Sequence, residues 1–187
     1  SVDAAYMIDK TTGYIKLTKF TETSYEEFMQ QMEELQKQGL KDLIFDLRGN
    51  GGGFMNEAVD IADEFLDGDK LIVYTEGVNS KKREYRCKRP GLFQKGKLIL
   101  LVNETSASAS EVLAGALQDW CRATIIGRRT FGKGLVQEQY QLRDGSAIRL
   151  TIARYYTPLG RSIQRSYEKG KKVYMDDLWE RFNNGEL

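Results

Sequence analysis

The chain has 187 residues, 41% of them hydrophobic and 29% charged, which is material for about one domain with a sizeable core. Its 28 lysines and arginines stand against 27 acidic residues, and a net charge of +1 removes any global electrostatic case for nucleic acid or an anionic membrane. Histidine is absent, so neither a Ser-His-Asp nor a Cys-His triad, nor a histidine-ligated metal site, can be built within the chain; a nucleophile must draw its base from lysine, a carboxylate or an amine.

Ala5 to Ile8 and Tyr14 to Leu17 read as short strands around a turn at residues 9–13. Tyr25, Phe28, Met32 and Leu35 recur three or four apart, which predicts an amphipathic helix over residues 24–38 with Gly39 as its C-terminal cap. Leu43 to Phe45 is a buried-type strand running into the glycine loop 46–53, and a second helix follows, from Ala58 to Leu66. Lys70 to Thr75 returns as a strand. Residues 76–96 read as irregular or hairpin-like, with the basic run from Lys81 to Arg89 on a solvated loop.

Leu98 to Val102 is apolar, the hydroxyl-rich segment 103–110 follows, and Val112 to Asp119 reads as a helix. Ala123 to Ile126 is a further apolar run. Leu135 to Leu142 and Ile148 to Tyr156 flank Asp144-Gly145, a strong hairpin signal. The polar segment after Gln164 is expected to be peripheral, with a short helix at Asp176 to Phe182. Cys87 and Cys121 lack zinc-ligand spacing and read as unpaired thiols, and there is no apolar run of membrane-spanning length. Strands alternating with helices predict an α/β domain with a mostly parallel sheet flanked by helices, plus a late antiparallel hairpin. Both notable loops, 46–53 and 103–110, follow strands, where such folds gather function.

Ser108 to Glu111 has the form of a capping box, yet three serines in five positions cannot all be one N-cap, and a helix mouth is also where a nucleophile gains most from backbone amides. On spacing alone Ser106, Ser108 and Ser110 all remain open. Lys133 sits between two glycines. Residues 127–133 match the first seven places of a phosphate-binding Walker loop, but Gly134 stands where the magnesium ligand belongs and a strand-like run follows in place of a helix. A lysine base must lose its proton near pH 7, where a free lysine with pKa ~10.4 stays charged, so the position needs burial away from carboxylates. If residues 133–139 are extended, Gln137 shares a face with Lys133 and could hold its amine. Asp119 returns to nearly the same helix face as Ser108 but roughly 16 Å further along, which points to a supporting role. The glycines of the 49–53 loop would let backbone amides approach a ligand, as an oxyanion hole requires.

Four motifs occurring in one order, 46–53, 106–111, 115–119 and 130–137, resemble those of the carboxyl-terminal processing (tail-specific) serine proteases. With residues 156–164 the resemblance covers roughly 13–165. It implies a ClpP/crotonase-like core over residues 1–165 with a polar tail at 166–187, in which Ser108 is the nucleophile, Lys133 the general base and Gln137 the residue that orients it. Asp119 matches an acidic supporting position. The amides of Ala109 and of Gly52 or Gly53 would form the oxyanion hole, with Gly52 ranked first. The implied activity is a serine endopeptidase cleaving near the C-terminal tails of proteins through a Ser-Lys dyad and an acyl-enzyme, with no metal or cofactor, in the cell envelope or periplasm. A PDZ domain is expected in the full-length protein, and the sequence after Gln164 departs from the commoner family ending. Two alternatives stand beside it: a latent or inactive peptide-binding module of the same fold, and a nucleotide-binding protein using Gly127 to Lys133.

Overall fold

The structure is a computed structural model that describes residues 1–168 and 170–187, without the Met175 side chain. Strands β1 (Val2–Met7), β2 (Thr12–Leu17), β3 (Asp42–Asp46), β6 (Leu98–Val102) and β7 (Thr124–Gly127) form a five-stranded sheet in the order β1-β2-β3-β6-β7. Every neighbouring pair in it is parallel except β1 with β2. A second, antiparallel sheet has the order β5-β4-β9-β8 and comprises β4 (Leu71–Glu76), β5 (Arg83–Arg86), β8 (Leu135–Gln141) and β9 (Ala147–Tyr156). The 70–75 strand therefore leaves the parallel sheet and joins the late hairpin.

Helices α1 (Ser24–Lys37), α2 (Met55–Phe65) and α3 (Ala109–Asp119) supply the apolar cover. The expected stripe of α1 is buried at Phe28, Met32 and Leu35. Its end is a Schellman turn: Gly39 has φ 98°, its N–H reaches the Gln36 carbonyl at 3.0 Å, and Leu40 N–H reaches the Leu35 carbonyl at 3.1 Å. One face of the parallel sheet alternates into the core through Ile15, Leu17, Leu43, Phe45, Leu98 and Leu100. Phe45 lies at its centre, with ring centroids 5.4 Å from Phe28 and 5.9 Å from Phe65. The last helix, α4 (Gly170–Asn183), is twice the length read from sequence at 176–182, because its charged side chains find partners far away in the chain. Both cysteines are free thiols; burial and the hydrogen bond with Asp63 push Cys87 up to about 12.

Because β3 and β6 are parallel neighbours, the loops leaving them emerge side by side at the carboxyl edge of the sheet. That adjacency brings the glycine loop to the mouth of α3.

Candidate active site

Asn50, wholly buried, ties the two loops together. Its carbonyl accepts Ala107 N–H at 3.0 Å and the Ser110 hydroxyl at 2.9 Å, while its side chain accepts Gly52 N–H at 2.9 Å and donates to the Leu17 carbonyl at 2.9 Å. Asp46 fixes the start of the same loop. Its carboxylate, also inaccessible, takes the Tyr14 hydroxyl at 2.7 Å and Arg48 Nη2 at 2.6 Å. Burial alone would raise the Asp46 pKa, but the hydrogen bonds from Arg48 and Tyr14 outweigh it and hold the carboxyl below its ordinary range.

The three serines now separate. Ser106 donates to the Leu47 carbonyl at 2.7 Å and Ser110 to the Asn50 carbonyl, both fully buried. Ser108 is different. At φ 58° and ψ −112° it sits in a backbone region that costs a non-glycine residue about 1–3 kcal/mol. Its side chain stands in a capping box with Glu111 but makes no capping hydrogen bond of full geometry, and Glu111 N–H reaches the Ser108 carbonyl at 2.9 Å. Of the capping box, the return half is a close contact: Ser108 N–H donates to Glu111 Oε2 at 2.9 Å. The strained turn thus presents a hydroxyl whose proton has no acceptor among the described residues.

Ser108, Lys133 and Gln137 line one cleft of about 720 Å³, walled by Phe20, Phe54, Leu135 and Tyr155. Lys133 is exposed in this cleft rather than buried as the sequence argument required, since the two glycines beside it and the open cleft leave its side chain uncovered. Among the described residues, the Ser108 hydroxyl and the Lys133 amine are not hydrogen-bonded to each other. Gln137 comes to the cleft by a route other than simple alternation: β8 starts only at Leu135 and its register shifts between Val136 and Gln137.

Of the two glycine amides, that of Gly52 is spent on Asn50. The Gly53 N–H has no hydrogen bond among the described residues, nor has that of Ala109, and Gly53 lines the cleft. Neither glycine tolerates a side chain. A Cβ on Gly52, φ +95°, would lie 2.8 Å from Ser108 Cβ and 3.0 Å from Ala109 N; one on Gly53, φ +147°, would lie 1.9 Å from the Phe20 carbonyl oxygen. Asp119 lies away from the cleft, where its almost wholly buried carboxylate pairs with Arg161 and accepts Leu159 N–H at 2.9 Å, holding the turn after β9 against α3.

Glu111 is the residue that motif reading undervalued. Its Oε1 takes the Thr130 hydroxyl at 2.7 Å and Gly132 N–H at 2.6 Å, and its Oε2 takes Lys133 N–H at 2.8 Å besides Ser108 N–H. One carboxylate, 5% exposed, therefore ties the backbone of the serine to the backbone of the lysine. It also disposes of the Walker reading, because the loop amides that would cradle a phosphate already hold an internal anion and the chain continues as β8. The sequence signal was present in the capping box, but nothing in that motif announces a second set of donors twenty residues away.

The α/β core, with Ser108 on a strained turn at a helix mouth and Lys133 lining the same cleft, has relatives that define its class. The model of Peptidase family S41 matches residues 11–170, and the chain belongs to that family. It is 44% identical over 150 residues to the carboxyl-terminal-processing peptidase 3, chloroplastic, of Arabidopsis thaliana, covering 79% of this chain and 28% of that protein. To the carboxyl-terminal-processing protease of Synechocystis sp. it is 40% identical over 156 residues, 83% of this chain and 36% of the relative. The solved photosystem II D1 C-terminal processing protease superposes with a TM-score of 0.75 at 40% identity, over 81% of this chain and 39% of that one. The fold is accordingly ClpP-like. The chain spans about a third of the length of the curated relatives it matches.

Proposed function

We propose that this chain is the catalytic core of a serine endopeptidase that cleaves near the C-terminal tails of proteins, with Ser108 as nucleophile and Lys133 as general base. The observation that carries the reading is Ser108 on a strained turn, its hydroxyl proton without an acceptor among the described residues, in the same cleft as Lys133 and Gln137. An extended substrate lies along the free edge of β8, the outermost strand of its sheet. Ser108 Oγ attacks the scissile carbonyl carbon while Lys133 Nζ takes the hydroxyl proton, and the oxyanion is received by the amides of Ala109 and Gly53, each donor worth roughly 10²–10³ in rate. The C–N bond then breaks and the leaving amine takes the proton from Lys133; the neutral Lys133 Nζ next takes a proton from water as it attacks the acyl carbon, and returns that proton to Ser108 Oγ as the ester bond breaks and the acid leaves. Gln137 orients Lys133, and the substrate itself covers the exposed lysine and excludes water from it.

By the same kinship the full-length protein carries a PDZ domain that grips the substrate tail and works in the cell envelope or an equivalent lumen. Ser108→Ala and Lys133→Ala are each expected to lower kcat/KM on an unfolded, apolar-tailed protein by at least about 10²–10⁴ while leaving the fold intact; retained turnover in either variant overturns the dyad. The missing Ser108–Lys133 hydrogen bond favours one further reading, a latent form of the same enzyme. It predicts slow labelling of Ser108 by a serine-directed fluorophosphonate that accelerates when a tail peptide is added.

A further inference from the structure

The loop that carries Lys133, residues 128–134, belongs to no helix or strand, so its place depends on what grips it. On one side stands the Glu111 carboxylate. On the other, Gln164 Oε1 accepts Gly134 N–H at 3.0 Å and Arg165 N–H donates to the Gly132 carbonyl at 3.0 Å. The approach is close: a Cβ on Gly132 would come within 2.8 Å of Arg165 Cβ, and one on Gly134 within 2.3 Å of Gln164 N. Lys133 is bracketed by backbone contacts to a segment some thirty residues further along the chain.

That segment is itself held by α4. The Arg165 guanidinium lies 4.0 Å from the Tyr174 ring centroid and 5.7 Å from that of Phe131, and its Nη2 donates to the Tyr174 carbonyl at 2.8 Å. Its Nη1 pairs with Asp177, and both side chains are 19% exposed. Asp177 also faces Arg129 at 3.4 Å and Arg181 at 4.0 Å, and the buried Arg181 donates to the Arg129 carbonyl at 2.8 Å. Asp177 thus stands among three guanidiniums, of which Arg129 and Arg181 also pair with Glu186, at 3.4 Å and 2.7 Å, whereas Arg165 has Asp177 alone among the described residues. Removing its charge leaves the Arg165 guanidinium, 19% exposed, without a counter-ion beside two further guanidiniums that keep Glu186, and Arg165 relaxes by moving away. α4 starts at residue 170, where the family match stops.

We propose that Asp177, acting through Arg165, is a positioning residue for Lys133, and that α4 braces the base loop against the mouth of α3. The catalytic meaning of the brace rests on the Ser108–Lys133 reading; the brace itself does not. Two measurements separate them. The first is amide hydrogen exchange at Gly132, Lys133 and Gly134 in a Ser108→Ala background, with and without Asp177→Asn. The second is kcat and KM, normalised to Ser108 titrated by a fluorophosphonate, for Asp177→Asn and Asp177→Glu in the otherwise unaltered protein.

The expected result is at least tenfold faster exchange at those three amides with α2 unchanged. Alongside it, kcat per titrated serine falls at least tenfold, KM shifts less than twofold, and Asp177→Glu recovers most of both. Unchanged exchange overturns the brace whatever the activity. Faster exchange with unaltered kcat per titrated serine overturns the positioning role. Faster exchange in a protein that neither turns over nor is labelled at Ser108 supports the brace and sinks the peptidase reading instead. Should Asp177→Asn not fold, Arg165→Lys, which keeps the charge and loses the planar fork, gives the same readouts.

Discussion

Four donors converge on the Glu111 carboxylate, one from the serine turn and three from the base loop, in a place that is 5% exposed. Alanine there strands all four at once, and a buried unsatisfied donor costs about 1–3 kcal/mol. Water entering the gap recovers part of this. Glu111→Ala is expected to lower the free energy of unfolding by on the order of 3 kcal/mol in urea titration and to reduce turnover more than tenfold. Glu111→Gln, which keeps one carbonyl oxygen but turns an amide toward the remaining donors, should fall between the two. A loss below about 0.5 kcal/mol for the alanine variant would mean the network is not made in solution.

At the scale of elements, the helices follow their own periodicity and the strands follow their partners. α1 matches its reading because one stripe of apolar residues and a glycine stop describe it completely, whereas β4 carries the same kind of apolar run as β3 and yet pairs with β5 and β9. Which sheet a short apolar strand enters is a property of its neighbours. α4 shows the same dependence: its apolar pattern is weak, and its length follows from ion pairs with Arg129 and Arg165. The joint between α1, β3 and α2 is the Phe28–Phe45–Phe65 cluster, all three rings wholly buried. Phe45→Ala leaves a cavity that rigid helices on the sheet cannot close, and should cost about 3–5 kcal/mol by calorimetry or denaturant unfolding.

For the whole molecule, the cleft exists because the parallel sheet delivers the serine turn, the antiparallel sheet delivers Gln137, and the loop between β7 and β8 brings Lys133 to the same place. The buried Asp46 carboxylate, with Tyr14 of β2 and Arg48, holds the exit of β3 on which the glycine loop depends. Its pKa is lower in the folded protein than in the unfolded chain, so folding is favoured by its ionisation. That contribution is complete above the ~3.9 at which an unfolded aspartate titrates and is lost as pH falls through the lower folded value. Tyr14→Phe deletes one hydrogen bond to the charged form, and should cost about 1–3 kcal/mol at pH 7. The gap between Tyr14→Phe and the parent should narrow as pH falls through the lowered folded value of Asp46 and the acceptor becomes neutral; a gap that stays constant through acid unfolding would remove Asp46 from the account of acid stability.

The amino-acid sequence by itself determined the α/β class, the helices with clean stripes, the exclusion of imidazole chemistry and the motifs that resemble one peptidase family, because each of these is carried by local order and residue type. It left Ser106, Ser108 and Ser110 equivalent in spacing. Only the tertiary structure decided among their environments, by burying two hydroxyls against backbone carbonyls and leaving the third on a strained turn in the cleft. Tertiary structure likewise took the Gly52 amide for Asn50, turned a capping glutamate into the tie between two loops, and set α4 against the base loop. These are contacts between segments far apart in the chain, and their partners are chosen by where the sheets place the loop ends, which no local pattern encodes.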